Sequence, residues 1–285
     1  MDVALEMGIN FFDTADAYGG GRSEETIGRW LAQKGSSVRD QMVLSSKLFN
    51  PVGDGPNDWG LSRRRVRRQV EASLRRLGVE SLDLYLIHEP DPTTPLEVTL
   101  GALDDLVHEG KVHYIGASNM PAWLTAKGLW ESDRNGWEQL RWVQNAFSLL
   151  ERRDEVEMLP LCEDQNLGYT PFSPLAGGLL TGKYRLEDDY PEGSRMTMRP
   201  EPYLRHWNPE TFAALDRLSA AAAERDVSPA GLALAWVMEH PVVTAPIVGP
   251  RAPRHFAAVE EALRLTLTDE ERGEIAGWFP PPPAW

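Results

Sequence analysis

One cysteine, Cys162, stands in a chain of 285 residues, so no internal disulfide can form and a fold held together by disulfides is excluded. No apolar run approaches the roughly 18 residues that a membrane-spanning helix needs. The opening MDVALEMGIN has neither the basic start nor the long apolar stretch of a secretion signal. These shortages point to the cytoplasm. Positive charge is scarce too: 29 Lys and Arg face 43 Asp and Glu, a net charge of −14. That balance repels phosphate backbones and anionic membrane surfaces, so neither nucleic acid nor a membrane is expected as a partner. Small-molecule chemistry is favoured instead. A further absence concerns the turn after the first strand, where GGGRSEETIG lacks the G-x-G-x-x-G spacing with which an open doubly wound sheet usually holds a dinucleotide.

What is present is a rhythm. Seven short apolar, β-branched or aromatic runs are expected as strands: Ile9 to Asp13, Met42 to Lys47, Leu82 to His88, Val112 to Ala117, Trp142 to Asn145, Gly168 to Phe172 and Thr244 to Val248. Helical patterns follow them. Ser62 caps a helix whose apolar positions Val66, Val70, Leu74 and Leu77 recur at spacings of three and four, with its arginines expected to face water. Thr94-Pro95 and Ser228-Pro229 are helix starts. Thr268 with Glu271 three positions on is a capping box. Strict β-then-α alternation with strands too apolar to have a wet face argues a parallel sheet covered by helices. The chain length, near the ~250 residues usual for such a fold, favours a (β/α)8 TIM-type barrel as one domain over residues 1–285. Strands two to eight are visible in this scheme and strand one is not. Met1 is accordingly expected to fall inside the first barrel helix, with roughly 30 to 40 residues, one βα unit, lacking ahead of it. The stretch from Arg185 to Asn208 reads as a long loop, and the tail PPPPAW as polyproline.

In a barrel the chemistry gathers at the C-terminal strand ends. There the sequence sets Asp13 with Tyr18 just beyond, then Lys47, His88, Ser118 with Asn119, Gln144, Ser173, and Gly249 with Arg251. A tyrosine of ordinary pKa about 10 is a poor acid at neutral pH, and a nearby lysine charge favours its phenolate. Lys47 supplies that charge, and Asp13 a counter-ion for it. His88 would orient a carbonyl oxygen or share the proton. This is a general acid aimed at a carbonyl that awaits a hydride. No metal is expected. Phe49, Trp59, Met120 and Trp207 are candidate apolar walls of the substrate pocket.

The segments NFFDTADAYG, LSSK, LDLYLIHEPDP, KVHYIGASN, FSPLAGGLLTGKY and IVGPR, in that order, resemble the aldo-keto reductase family over nearly the whole chain. The resemblance implies a (β/α)8 barrel that uses a nicotinamide cofactor without a Rossmann domain. It puts Asp13, Tyr18, Lys47 and His88 on the family's catalytic tetrad, and Ser118, Asn119 and Gln144 where the family holds the nicotinamide carboxamide. Phe172 falls where an aromatic stacks on the nicotinamide ring. Ser173, Leu175 and Gly177 lie along the pyrophosphate segment, Gly249 belongs to the cofactor site, and Arg251 is placed to meet the adenosine 2′-phosphate, which favours NADP(H) while leaving NAD(H) possible. His255 and Val259 stand where the family usually has other polar residues. The function expected is reduction of an aldehyde or ketone to an alcohol with Tyr18 as general acid. Two other classes compete: a cofactor-binding regulatory or redox-sensing subunit with little turnover, like the potassium-channel β subunits of the family, and a barrel aldolase with a Schiff base on Lys47.

Overall fold

The computed structural model describes residues 1–282; the last three residues of the polyproline tail, 283–285, lie outside the described residues. The chain forms two compact units, the first Met1–Gln144 with Gln165–Leu167, the second Asn145–Asp164 with Gly168–Trp285.

The first unit is built on five parallel strands: β1 (Phe11–Asp13), β2 (Val43–Leu48), β3 (Leu82–Ile87), β4 (Val112–Ser118) and β5 (Leu140–Gln144). Each pairs with the next in sequence order. Helices Arg22–Lys34, Arg63–Leu77, Leu96–His108 and Ala122–Asn135 supply the crossovers, which parallel pairing requires. Both faces of β2 and β3 are almost wholly buried; β3 is apolar but for Asp83, as a strand covered on both sides requires, whereas β2 buries Ser45, Ser46 and Lys47 too. The register shifts once, between Ile115 and Gly116. Any side chain at Gly116 would meet the Trp142 carbonyl oxygen at 2.4 Å, so only glycine lets β4 and β5 approach there.

Helix Arg63–Leu77 starts as its sequence asks. The Ser62 side chain accepts from the Arg65 N–H, Gly78 closes the helix in the left-handed region, and Val66, Val70, Leu74 and Leu77 are buried. Its arginines divide, contrary to the expectation of a wholly solvated basic face. Arg63 and Arg67 pair with Asp105 and Glu109 of the neighbouring helix. Arg65, however, is 1% exposed and its Nη2 lies 2.9 Å from Asp16 Oδ2. Arg65, Gln69 and Ser73 are four apart, so the helix turns a polar row towards the core beside its apolar stripe.

This buried pair has a measurable consequence. Burial pushes the Asp16 carboxyl up to about 6 from its ordinary 3.8, with Arg65 opposing the shift. A carboxyl whose folded value is raised takes up a proton on folding, so its contribution to stability is fully present below the ordinary value and is lost as pH rises through about 6. Urea midpoints of the wild type are therefore expected to carry a falling component between about pH 4 and pH 7 that Asp16→Asn lacks. The variant keeps Arg65 opposite a neutral side chain at every pH, a state the wild type reaches only below about pH 6. An Asp16→Asn profile parallel to the wild type over that range would remove the assignment.

In the second unit, β6 (Gly168–Tyr169) is short. The expected strand Gly168 to Phe172 continues past it only as a bridge, Ala146 to Phe172. The segment expected as the strand Thr244 to Val248 is not a regular strand. Thr244 N–H donates to the Tyr169 carbonyl and Ile247 N–H to the Pro171 carbonyl, each at 2.8 Å, and the ladder stops there because Pro171 and Pro246 have no N–H to give. Six regular strands thus occur among the described residues. Helices Pro209–Glu224, Pro229–Met238 and Asp269–Gly277 are capped by Asn208, Ser228 and Thr268, the last with the full capping box. Residues 185–208 are loop with two short helical turns. Trp207 organises that loop, edge-on to Tyr184, Tyr190 and Phe212. Among the described residues no helix is long and apolar enough to cross a membrane.

Candidate active site

The strand ends of the first unit collect the polar residues. Asp13 closes β1, Lys47 is next to last in β2, His88 follows β3, Ser118 closes β4 and Gln144 closes β5. Parallel pairing with adjacent registers brings these ends level, and backbone bonds extend it: Asp16 N–H to the Lys47 carbonyl at 3.1 Å, His88 N–H to that of Leu48 at 2.9 Å, and Asn119 N–H to that of Gln144 at 3.2 Å. Tyr18 hangs on the turn after β1. Gly19, Gly20 and Gly21 then follow with φ of 61°, 68° and 92°, three successive left-handed residues that only glycine adopts without strain. They turn the chain sharply into helix Arg22–Lys34 and leave Tyr18 42% exposed.

Behind the tyrosine lies a buried charge pair. Lys47 is 0% exposed and Asp13 10%. The Lys47 Nζ donates to Asp13 Oδ2 and, at 2.9 Å, to the Thr14 carbonyl. The other carboxylate oxygen of Asp13 accepts from Gln144 Nε2 at 3.0 Å. Every charge here has a partner, as burial requires. Lys47 Nζ also sits 5.1 Å from the centroid of the Tyr18 ring, so its charge reaches the phenol through the ring. The hydrogen-bond partner of the hydroxyl is His88, whose Nε2 lies 3.5 Å from Tyr18 Oη. Burial first, and then the Lys47 charge, lower the His88 imidazole to about 4, with Asp13 opposing. His88 is neutral at pH 7.

Asn119 donates its Nδ2 hydrogens to the His88 carbonyl at 3.0 Å and to Ser118 Oγ at 3.1 Å. Those bonds, with the one from Gln144 Nε2, leave the Oδ1 of Asn119 and Oε1 of Gln144 as acceptors and the Ser118 hydroxyl as a donor. Such a set fits a primary carboxamide, whose NH2 needs acceptors and whose oxygen needs a donor. Phe49 meets Trp59 edge-on at 6.2 Å, with Trp59 42% exposed, while Met120 is 1% exposed.

The second unit holds the other expected residues. Phe172, Ser173, Leu175 and Gly177 lie on one tight turn in which Ser173, Ala176, Gly177 and Gly178 all have positive φ. A Cβ on Gly177 would stand 2.4 Å from the Tyr203 ring, so that glycine is required by an aromatic neighbour of its own unit. Gly249 has open space around its Cα. Arg251 is held at both ends, its Nη2 at 3.0 Å from the Gly193 carbonyl and its backbone N–H at 3.1 Å from His255 Nδ1. Burial, then the charges of Arg254, Arg251 and Lys183, hold His255 below its ordinary value. In a chain of net charge −14, that cationic group fits a phosphate. Lys183 and Arg254 were not singled out in the sequence, although TGKY and RAPR carry them.

Sequence reasoning also missed Asn50, whose Nδ2 lies 3.1 Å from His88 Nδ1. The only signal was an amide three residues after the strand-end lysine.

A parallel α/β protein with a phenol, a neutral imidazole and a buried lysine-carboxylate pair at its strand ends has the apparatus of a carbonyl oxidoreductase. The model of the Aldo/keto reductase family matches residues 1–278, and the chain belongs to that family. It is 39% identical over 290 residues to the uncharacterized oxidoreductase YrpG of Bacillus subtilis, covering 99% of this chain and 86% of the relative. It is 33% identical over 282 residues to norsolorinic acid reductase of Aspergillus flavus, covering 96% and 69%. A probable voltage-gated potassium channel subunit beta of Oryza sativa is 36% identical over 266 residues, covering 92% and 80%. The chain is an oxidoreductase of carbonyl type by this kinship.

Proposed function

We propose that this chain reduces an aldehyde or ketone to an alcohol with NADP(H), and that Tyr18 is the proton donor. The observation that carries the reading is a part-exposed tyrosine whose hydroxyl faces a neutral His88, with the buried Lys47–Asp13 pair against its ring. Reduced nicotinamide, when bound, supplies the hydride. The Tyr18 hydroxyl gives its hydrogen to the carbonyl oxygen as charge develops there. Lys47 then stabilises the phenolate left behind, and Asp13 keeps that ammonium compensated in its dry site. Ser118, Asn119 and Gln144 would take the carboxamide. Phe172 would stack on the ring, Ser173, Leu175 and Gly177 would follow the pyrophosphate, Gly249 would line the cofactor, and Arg251 would take the 2′-phosphate. Phe49 and Trp59 are the apolar walls this reading favours for the substrate. A carbonyl panel run with NADPH and NADH in parallel tests it, and absence of turnover across the panel with both cofactors would refute it.

Cofactor choice gives a sharper test. Arg251→Ala is expected to weaken NADPH binding by roughly 1.5 to 3 kcal/mol and to leave NADH nearly unchanged, since only NADPH carries the 2′-phosphate. Fluorescence titration with both cofactors reads the difference. Equal losses would sink the contact.

The relative described as a channel subunit favours a second reading, a regulatory subunit that holds the cofactor and turns over little. A single stoichiometric oxidation of NADPH with no further turnover would support it. A Schiff base on Lys47 is disfavoured by the burial of that amine, whose Nζ is donor to Asp13 and to the Thr14 carbonyl.

A further inference from the structure

A neutral imidazole carries one N–H, and which nitrogen bears it is set by what the other nitrogen meets. His88 meets two groups. Its Nδ1 faces Asn50 Nδ2 at 3.1 Å and its Nε2 faces Tyr18 Oη at 3.5 Å. An amide nitrogen can only donate, so Nδ1 accepts and the ring proton resides on Nε2, pointing at the phenol oxygen. The opposite tautomer would make Nε2 an acceptor, and it would draw the phenol hydrogen into the His88 bond. We propose that Asn50 is a positioning residue whose side-chain amide holds His88 in the Nε2–H form, so that the Tyr18 hydrogen stays free for the carbonyl oxygen. The proposal rests on the reading of Tyr18 as proton donor.

The surroundings hold Asn50 where this role needs it. Arg65 Nη2 reaches the Asn50 carbonyl at 3.4 Å and Asp16 Oδ2 at 2.9 Å. Asp16 lies two residues before Tyr18, and its N–H is bonded to the Lys47 carbonyl. One guanidinium thus ties together the loop that carries Tyr18 and the loop that carries Asn50. The ring bonded to both loops is His88, held neutral by its burial and the Lys47 charge, so its tautomer and not its charge is the variable at neutral pH.

Asn50→Asp tests the assignment with almost no change of shape. A carboxylate accepts where the amide donates, so Nδ1 should become the protonated nitrogen. Nitrogen-15 spectra of the histidine rings in the full chain, with and without NADP(H), read the tautomer directly. The wild type is expected to show Nε2 protonated and Nδ1 bare at His88, and Asn50→Asp the reverse. With a carbonyl substrate, kcat should fall about tenfold to a hundredfold in the variant, while NADPH affinity stays within about twofold. A wild-type His88 protonated on Nδ1, or a variant that keeps the Nε2–H form, would overturn the proposal, as would a reversed tautomer with undiminished kcat. If the tautomer reverses in a chain that reduces no carbonyl, the hold of Asn50 on His88 stands and the proton-donor reading of Tyr18 is what fails.

Discussion

Tyr18→Phe is expected to lower carbonyl reduction by about 10²-fold or more while NADPH binds as before. The substitution removes one oxygen and almost no volume, at a side chain 42% exposed, so the fold has no reason to change. What goes is the hydroxyl that lies within reach of both the His88 Nε2 and the field of the Lys47 ammonium. On the proposed reading, cofactor binding draws on other groups, the amides and hydroxyl at Ser118, Asn119 and Gln144 among them. Loss in kcat with cofactor affinity retained is the signature of an interaction made in the transition state. Stopped-flow reduction of an aldehyde, alongside a cofactor titration, gives both numbers. Turnover close to the wild type would show that the proton comes from elsewhere.

Lys47→Met should abolish activity to a similar degree and, unlike the tyrosine change, should also destabilise the fold. Lys47 is wholly buried and Asp13 nearly so. Without the ammonium, Asp13 keeps the Gln144 amide as its partner among the described residues, and a buried carboxylate left without its counter-ion typically costs about 3 to 5 kcal/mol. The two effects separate in a double variant. Adding Asp13→Asn to Lys47→Met removes the stranded charge, so urea denaturation should recover much of the lost stability while turnover stays absent. Recovery of activity in the double variant would mean that Lys47 serves only to neutralise Asp13 and has no part in tuning Tyr18.

By itself the sequence determined what depends on residues a few positions apart. The Ser62, Ser228 and Thr268 caps form as read, because a cap is a bond between a side chain and an N–H three residues on. The β3 run was legible for a similar reason, since a strand buried on both faces is almost wholly apolar. The strand-end residues were legible as a group, because alternation of strand and helix puts every strand end on one side. The irregularity of Thr244 to Val248 was also written there, in Pro246, but was outweighed by its apolar pattern.

Tertiary structure decided what depends on residues far apart in the chain. Arg65 sits in a basic run indistinguishable from a solvated face until Asp16, 49 residues away, is placed beside it. Gln144 meets Asp13 across 131 residues, which gives its amide a second duty besides the one expected of it. Gly177 is demanded by the Tyr203 ring, which its own neighbours in sequence do not reveal. Asn50 and His88 are 38 apart, on loops that follow adjacent strands, and no pattern in either loop names the other. Periodicity reports which side of an element is buried, because burial repeats with the geometry of the backbone. It is silent on partners, because a hydrogen bond or an ion pair depends on two side chains brought together by all the strands and turns between them.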